Sequence, residues 1–285
     1  MLDQQTLDKL AQMRLTAMNQ EYRRQLESSD KNALSFEERF AMITDVEWIN
    51  RQNNRLKRLL GKASLRIQDA CLEDLDFEPK RNLDRGAVAR LSDMAWLYES
   101  RNLIITGASG TGKTYLACAF GNAACRKSFK TKYYRVNRLL NDLSIGQGDG
   151  SYNKIIKELK KMDLLILDDW GMALLDPASS RDLLEVVEDR YGYRSTIISA
   201  QLPVSKWHQL FEDSTVADAI LDRLVHNAYR FELKGPTKRR IDQHDRHEKK
   251  EQHDNTSSPS PMGEEIAEKH SVPKSLQKEK VDEPT

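Results

Sequence analysis

Eight residues constrain this chain more than any other stretch: Gly107-Ala108-Ser109-Gly110-Thr111-Gly112-Lys113-Thr114. They satisfy GxxxxGK[ST] at every fixed position, a match that average residue usage produces roughly once in 100 chains of this size. The apolar run 102–106 ahead of it reads as a buried strand, and the segment opening at Lys113 as a helix. Strand, glycine loop and helix in that order demand a parallel α/β sheet, because the helix must cross back over the strand that precedes the loop. Gly107, Gly110 and Gly112 allow the backbone to turn successive amides inward as a nest for phosphate oxygens, and the helix N-terminus adds positive potential there. In this motif Lys113 reaches the terminal phosphates of a nucleoside triphosphate and the Thr114 hydroxyl holds Mg²⁺.

Further along, strand-like and helix-like runs alternate. Candidate strands are 131–136, 163–169, 195–200 and 229–233, and candidate helices are a charged segment ending near Lys161, 179–191, 204–213 and 216–228. The expected fold is a P-loop NTPase parallel sheet with helices on both faces. Residues 67–240 make up that domain, residues 1–66 a helical N-terminal domain, and residues 241–285 a polar, disordered tail. The tail carries charge, Ser and Pro but no aromatic residue, so it lacks the apolar surface to offset ordering entropy. His244, His247 and His253 lie in it without a partner cysteine, a poor zinc pattern.

The N-terminal segment 2–28 has no Gly or Pro and places Leu7, Leu10, Met18 and Tyr22 at helical intervals. A second helix opens on the capping box Ser35-Phe36-Glu37-Glu38 and runs to about Leu60. Near its end Arg51, Arg55, Arg58, Lys62 and Arg66 recur at helical spacing with no acid between the first and the last. On one helical face they would track a phosphate backbone; the plain alternative is a solvated face, which ordinarily mixes both signs. Lys and Arg total 45 against 44 Asp and Glu, so global charge names no partner. No apolar run has the length of a membrane span and no signal-peptide pattern opens the chain, so a cytoplasmic protein without a membrane partner is expected. Cys71, Cys118 and Cys125 form no CxxC pair, and Cys118 and Cys125, seven apart on the helix after the loop, read as small packing residues.

A phosphate loop by itself does not separate kinase, GTPase and ATPase. The run 164–169 adds an apolar strand ending in Asp168 and Asp169. Asp168 would hold Mg²⁺ through water and Asp169 orient the attacking water. The sequence between Lys113 and Asp168 has room for a helix, a strand and a helix, so another strand is expected between the two in the sheet. Ser199 and Gln201 leave a neighbouring strand where a γ-phosphate could be sensed. Arg223 sits in a late helix; spacing favours a surface ion pair, and a charge offered across a subunit boundary is the alternative.

Taken in order, "SFEERFAMITDVEW", "LEDLDF", "GASGTGKTYLA", "LLILDDWG", "SAQLPVSKWHQL" and "DAILDRLVHNAYRFELKG" resemble the IstB-type AAA+ ATPases, helpers encoded beside the transposase of bacterial insertion sequences. The core is similar to that of the DnaC-type helicase loaders, and the resemblance spans residues 2–240. It implies ATP and Mg²⁺ as cofactors, with Gly107, Ala108, Ser109, Gly110, Thr111, Gly112, Lys113, Thr114 and Tyr115 around the nucleotide and Asp168 and Asp169 as the acidic motif. Ser199 or Gln201 falls at the first sensor, Arg223 at the intersubunit arginine finger and Arg239 at a second sensor. It also implies a homo-oligomer on double-stranded DNA that recruits its cognate transposase to a target. Asp169 stands where many AAA+ proteins carry Glu, which leaves slow hydrolysis open, and Tyr115 replaces a frequent His. The competing functions are a helicase loader, a nucleotide-gated DNA scaffold that scarcely hydrolyses, and a P-loop small-molecule kinase. The last lacks a lid insert and leaves the basic helix without a role.

Overall fold

A computed structural model of the chain describes residues 2–28 and 34–237, all within one compact unit. Arg239 and the expected tail 241–285 lie outside the described residues.

Five strands form one sheet: β1 (Asn102–Gly107), β2 (Thr131–Arg135), β3 (Leu164–Trp170), β4 (Ser195–Ala200) and β5 (Ala228–Leu233). All pairings are parallel, in the order β2-β3-β4-β1-β5. A strand does separate β1 from β3, as expected, but it is β4, which follows both in the chain; β2, the strand between the two motifs in sequence, lies at the sheet edge. Helices cover both faces, which is why the central strands β3, β4 and β1 are buried as near-continuous runs, whereas β2 and β5 at the two edges carry Lys132, Arg135, Arg230 and Glu232. One face buries Leu103, Ile105, Ile166, Ile197 and Phe231 under α6 (Lys113–Arg126), and the other buries Ile104, Leu165, Leu167, Ile198 and Ala200 under α7 (Val136–Asp149), α9 (Pro177–Glu188) and α10 (Ser214–Val225). Cys118 and Cys125 are packing residues in the first of these layers, and burial pushes the Cys118 thiol up to about 11.

Three of the expected helices differ. The charged segment after β2 is two helices, α7 and α8 (Tyr152–Lys160), parted at Gly150 with φ 79°. Residues Val204–Leu210 form a 3₁₀ turn rather than an α-helix, following Pro203 and anchored by buried Trp207, whose indole N–H donates to the Leu202 carbonyl. The N-terminal run is two helices, α1 (Leu2–Gln12) and α2 (Thr16–Glu27). Arg14 at φ 57° closes α1, and the Arg14 and Leu15 amides bond back to Ala11 and Leu10. This is a Schellman stop, for which Gly is the usual signal. Two short helices, α4 (Arg85–Leu91) and α5 (Ala95–Tyr98), lead into β1.

The capping box is present: Ser35 accepts from the Glu38 amide and Glu38 from the Ser35 amide, opening α3 (Phe36–Ala63). α3 performs two structural tasks. Its buried Glu47 caps a different helix: Leu15 gives α2 no side-chain cap, and Glu47 Oε2 accepts from the Ala17 and Met18 amides at 3.0 and 3.2 Å. Its last turns pack Leu56, Leu59, Leu60 and Ala63 onto the α6 side of the sheet core.

Burial works against the Glu47 charge, but Arg51 and the two amides outweigh it and hold the carboxyl below its ordinary range. A carboxylate whose folded pKa is depressed stabilises fully above the unfolded value and loses that contribution as pH falls through the folded one. Glu47→Gln is therefore expected to cost about 1–3 kcal/mol at neutral pH, read by urea unfolding. The gap to the unsubstituted chain should close as the medium is acidified; a gap independent of pH would show that the charge is not what stabilises α2.

Candidate functional site

The phosphate loop occupies the C-terminal edge of the sheet, where open α/β sheets bind ligands. Its glycines are sterically required. Gly107 has φ 148° and a Cβ there would stand 2.3 Å from the Leu233 carbonyl oxygen, while Gly110 has φ 84° and a Cβ would stand 2.1 Å from Thr237 Oγ1. α6 opens at Lys113 with no side-chain cap, so its first amides are placed for an anion. Lys113 is buried and its ammonium donates to the Ala108 carbonyl at 2.7 Å, folded over the loop it serves.

Beneath the loop lies a residue that motif reading missed. Arg81 is buried, its guanidinium donates to the Thr111 carbonyl at 3.0 Å and to the Asp76 carbonyl, and its own carbonyl accepts from the Lys234 amide. It ties segment 76–82 to both the loop and the exit of β5. No sequence signal marks it, since its partners are backbone groups, which any residue type presents.

The acidic motif comes together with the loop. Asp168 is 1% exposed, and its Oδ2 accepts from Thr114 Oγ1 at 2.9 Å and from the Tyr133 hydroxyl at 2.7 Å. Burial, and then the Asp168 charge, push the Tyr133 phenol far up, so it stays a donor. Thr114 and Asp168 thus present an all-oxygen set at one point, the donor chemistry of a hard divalent ion that completes its shell with water and phosphate.

Asp169 is held differently. The β3–β4 ladder pairs Leu167 with Ile198 and resumes with Trp170 against Ala200, so Asp168 and Asp169 together oppose Ser199. Such a bulge re-aims side chains. Asp169 has φ 58°, a conformation that Asp tolerates far better than most residues, and this favours Asp over Glu here. Its Oδ2 lies 3.5 Å from Arg135 Nε and 3.7 Å from Arg66 Nη1, and the same Arg66 nitrogen is 3.9 Å from Asp168 Oδ2.

Of the two sensor candidates, Ser199 is buried level with Asp168, its Oγ without a hydrogen-bond partner among the described residues. Gln201 is exposed at the strand exit, where its amide contacts Met172 Sδ at 3.3 Å. Tyr115 follows Thr114 in the first turn of α6 and is partly buried against the core, its phenol pushed up by that burial.

Arg223 stands at the opposite end of the sheet. Asn102, the first residue of β1, donates to the Arg223 and Leu224 carbonyls, one strand length of about 17 Å from the phosphate loop. Its guanidinium pairs with Glu188 at 2.7 Å above the Tyr191 ring. It faces a cavity of about 350 Å³ shared with Arg190, Arg194 and His226. Arg190 is fully buried; its guanidinium donates to the carbonyls of Leu159, Met162 and Ser195, and burial pushes it down to about 9.

Four members of the basic stripe, Arg51, Arg55, Arg58 and Lys62, lie exposed on α3. Arg51 also bonds Glu47 at 2.8 Å. Arg51, Arg55 and Arg58 line an open groove of about 470 Å³ together with Arg14 and Trp48, neither of which sequence reading singled out. Arg66 does not share their face: α3 ends at Ala63, Ser64 turns the chain at φ 52°, and Arg66 points to the acids. Among the described residues no helix is long and apolar enough to cross a membrane.

The model of the family described as IstB-like ATP binding protein matches residues 8–246. A protein of Sinorhizobium fredii named as an insertion sequence ATP-binding protein, y4pL, is 45% identical over 240 residues, covering 84% of this chain and 98% of that one. The corresponding IS1162 protein of Pseudomonas fluorescens is 44% identical over 205 residues, covering 72% and 89%. Among solved structures, a DnaC helicase loader superposes with a TM-score of 0.50 at 20% identity, over 58% of this chain and 97% of that one, a likeness of AAA+ fold.

Proposed function

The chain belongs to the family of IstB-like ATP binding proteins, and we propose that it is an ATPase whose nucleotide state controls an oligomer on duplex DNA and so helps a transposase engage its target. The observation that carries this reading is the meeting of Thr114 with Asp168 beside the phosphate loop, at the foot of a helix that presents a basic groove.

In this reading residues 107–115 enclose the triphosphate and Lys113 neutralises its terminal phosphates. Thr114, and Asp168 through water, would hold Mg²⁺, which when bound would offset the negative charge of the phosphates. Tyr133 and Arg81 keep the acid and the loop in place. Asp169 orients the attacking water, Ser199 and Gln201 flank the γ-phosphate, Arg239 supplies a second sensor, and Arg223 serves the site of a neighbouring subunit. The N-terminal helices bind DNA through Arg51, Arg55, Arg58 and Lys62, joined by Arg14 and Trp48, and contribute to assembly. Hold of Asp169 by two guanidinium groups favours slow intrinsic turnover, which keeps a nucleotide-gated scaffold as the second reading.

The deciding experiment is steady-state ATP hydrolysis with and without duplex DNA, with oligomer size followed in the same samples. Stimulation by DNA together with ATP-dependent oligomers supports the ATPase. ATP-dependent oligomers on DNA without turnover support the scaffold, and no response to DNA overturns both. Capture by the cognate transposase rather than by a replicative helicase separates the transposition role from helicase loading.

Reversing Arg55 and Arg58 to Glu is expected to weaken duplex binding at every sequence and to lower the slope of log K against log salt by about 2, one per lost phosphate contact. A slope equal to that of the unsubstituted chain would assign these residues to a solvated face.

A further inference from the structure

We propose that Arg66 is a positioning residue that couples the basic helix to the catalytic acids, holding the Asp169 carboxylate in the DNA-free chain and releasing it when duplex engages α3. This rests on the reading above and adds the path by which DNA reaches the nucleotide site.

Only two residues separate Arg66 from the end of α3, a span of about 10 Å at full extension. Those two residues are fixed: Ser64 turns the chain and Leu65 is buried. Ala63, which closes the helix, is wholly buried. The helix end is also pinned to the sheet, since Lys132 on β2 donates to the Lys62 carbonyl at 3.3 Å and to Ser64 Oγ at 3.2 Å. β2 is the neighbour of β3, with Arg135 in register with Asp168. A shift of the last turn of α3 therefore reaches Arg66 without an intervening flexible segment.

At its other end Arg66 bridges both acids through one nitrogen, 3.9 Å from Asp168 and 3.7 Å from Asp169. Arg135 approaches the same Asp169 oxygen from β2 at 3.5 Å. A carboxylate that must accept a hydrogen bond from water is engaged instead by two cations. Among the described residues, Asp168 keeps Thr114 and Tyr133 when Arg66 moves, whereas Asp169 keeps Arg135 alone. Withdrawal of Arg66 thus acts mainly on Asp169.

Coupling of this kind is reciprocal for binding: if DNA changes the affinity for a nucleotide, the nucleotide changes the affinity for DNA by the same factor. The test uses the full-length chain and its Arg66→Gln, Arg66→Lys and Lys132→Ala variants. It measures duplex affinity with and without a non-hydrolysable ATP analogue, the salt slope of duplex binding, and turnover with and without DNA. Arg66→Gln is expected to raise DNA-free turnover, to bring stimulation by DNA close to 1, and to remove a nucleotide effect on duplex affinity of about 5-fold or more. Its salt slope should equal that of the unsubstituted chain. Arg66→Lys should restore part of the coupling, and Lys132→Ala, which frees the helix end without touching an acid, should weaken it.

Retention of both the stimulation and the nucleotide effect in Arg66→Gln would overturn the proposal. So would a salt slope lower by about 1, which would make Arg66 a phosphate contact. An unsubstituted chain that shows no mutual effect of DNA and nucleotide would instead overturn the reading on which the proposal rests.

Discussion

Replacement of Lys113 by alanine is expected to abolish ATP-dependent assembly with the fold intact. The side chain is buried over the loop, where its ammonium donates to the Ala108 carbonyl. Losing that bond costs about 1 kcal/mol of stability. Losing the cation opposite a terminal phosphate removes a buried, hydrogen-bonded charge pair, worth about 2–5 kcal/mol or roughly 30- to 5,000-fold in nucleotide affinity. Lys113→Arg should not rescue, because the side chain is buried and a planar guanidinium forks where an ammonium is a point charge. Titration with a fluorescent ATP analogue, followed by sizing with and without ATP, reads both parts. Unchanged affinity and assembly would remove the nucleotide from the mechanism.

Arg223→Ala should produce the opposite pattern, normal nucleotide binding with turnover lost. Arg223 stands at the far end of β1 from the loop of its own chain, so in the proposed assembly its charge would serve a neighbour's nucleotide. A finger supplied across a boundary contributes about 10³- to 10⁵-fold in rate. The fold should lose little, since a partly exposed pair with Glu188 contributes about 0–1 kcal/mol. Mixing gives the sharpest result. Lys113→Ala subunits cannot hold nucleotide but offer Arg223, and Arg223→Ala subunits hold nucleotide but lack the finger, so the mixture should recover turnover that neither has alone. Equal turnover by Arg223→Ala and the unsubstituted chain would reduce Arg223 to its surface ion pair.

The correspondence between pattern and structure follows how local each interaction is. The phosphate loop was legible because Gly107, Gly110 and Gly112 take positive φ, a local backbone demand that residue type announces, although the atoms that would clash with a Cβ there come from distant segments. The central strands were legible because burial on both faces makes them near-continuous apolar runs. Helix ends were less so. Arg14, Ser64 and Ser128 carry the left-handed turn at the ends of α1, α3 and α6, where Gly would have announced the stop. The sequence therefore runs on without punctuation, and α1 and α2 read as a single helix.

By itself the sequence determined the sheet class, the loop, the acids that follow β3 and the basic run on α3, all encoded by residue type at short spacing. Register and side-chain direction belonged to the tertiary structure, because they depend on which distant segments meet. Only the fold brought Tyr133 to Asp168, set Arg81 beneath the loop and separated Arg223 from the site of its own chain. One unpaired residue in β3, opposite Ser199, turned Asp169 toward Arg66 and Arg135, and one left-handed serine took Arg66 off the helix face that its spacing implied. Both are single-residue backbone events that side-chain periodicity does not record, yet they decide which charges face the nucleotide site.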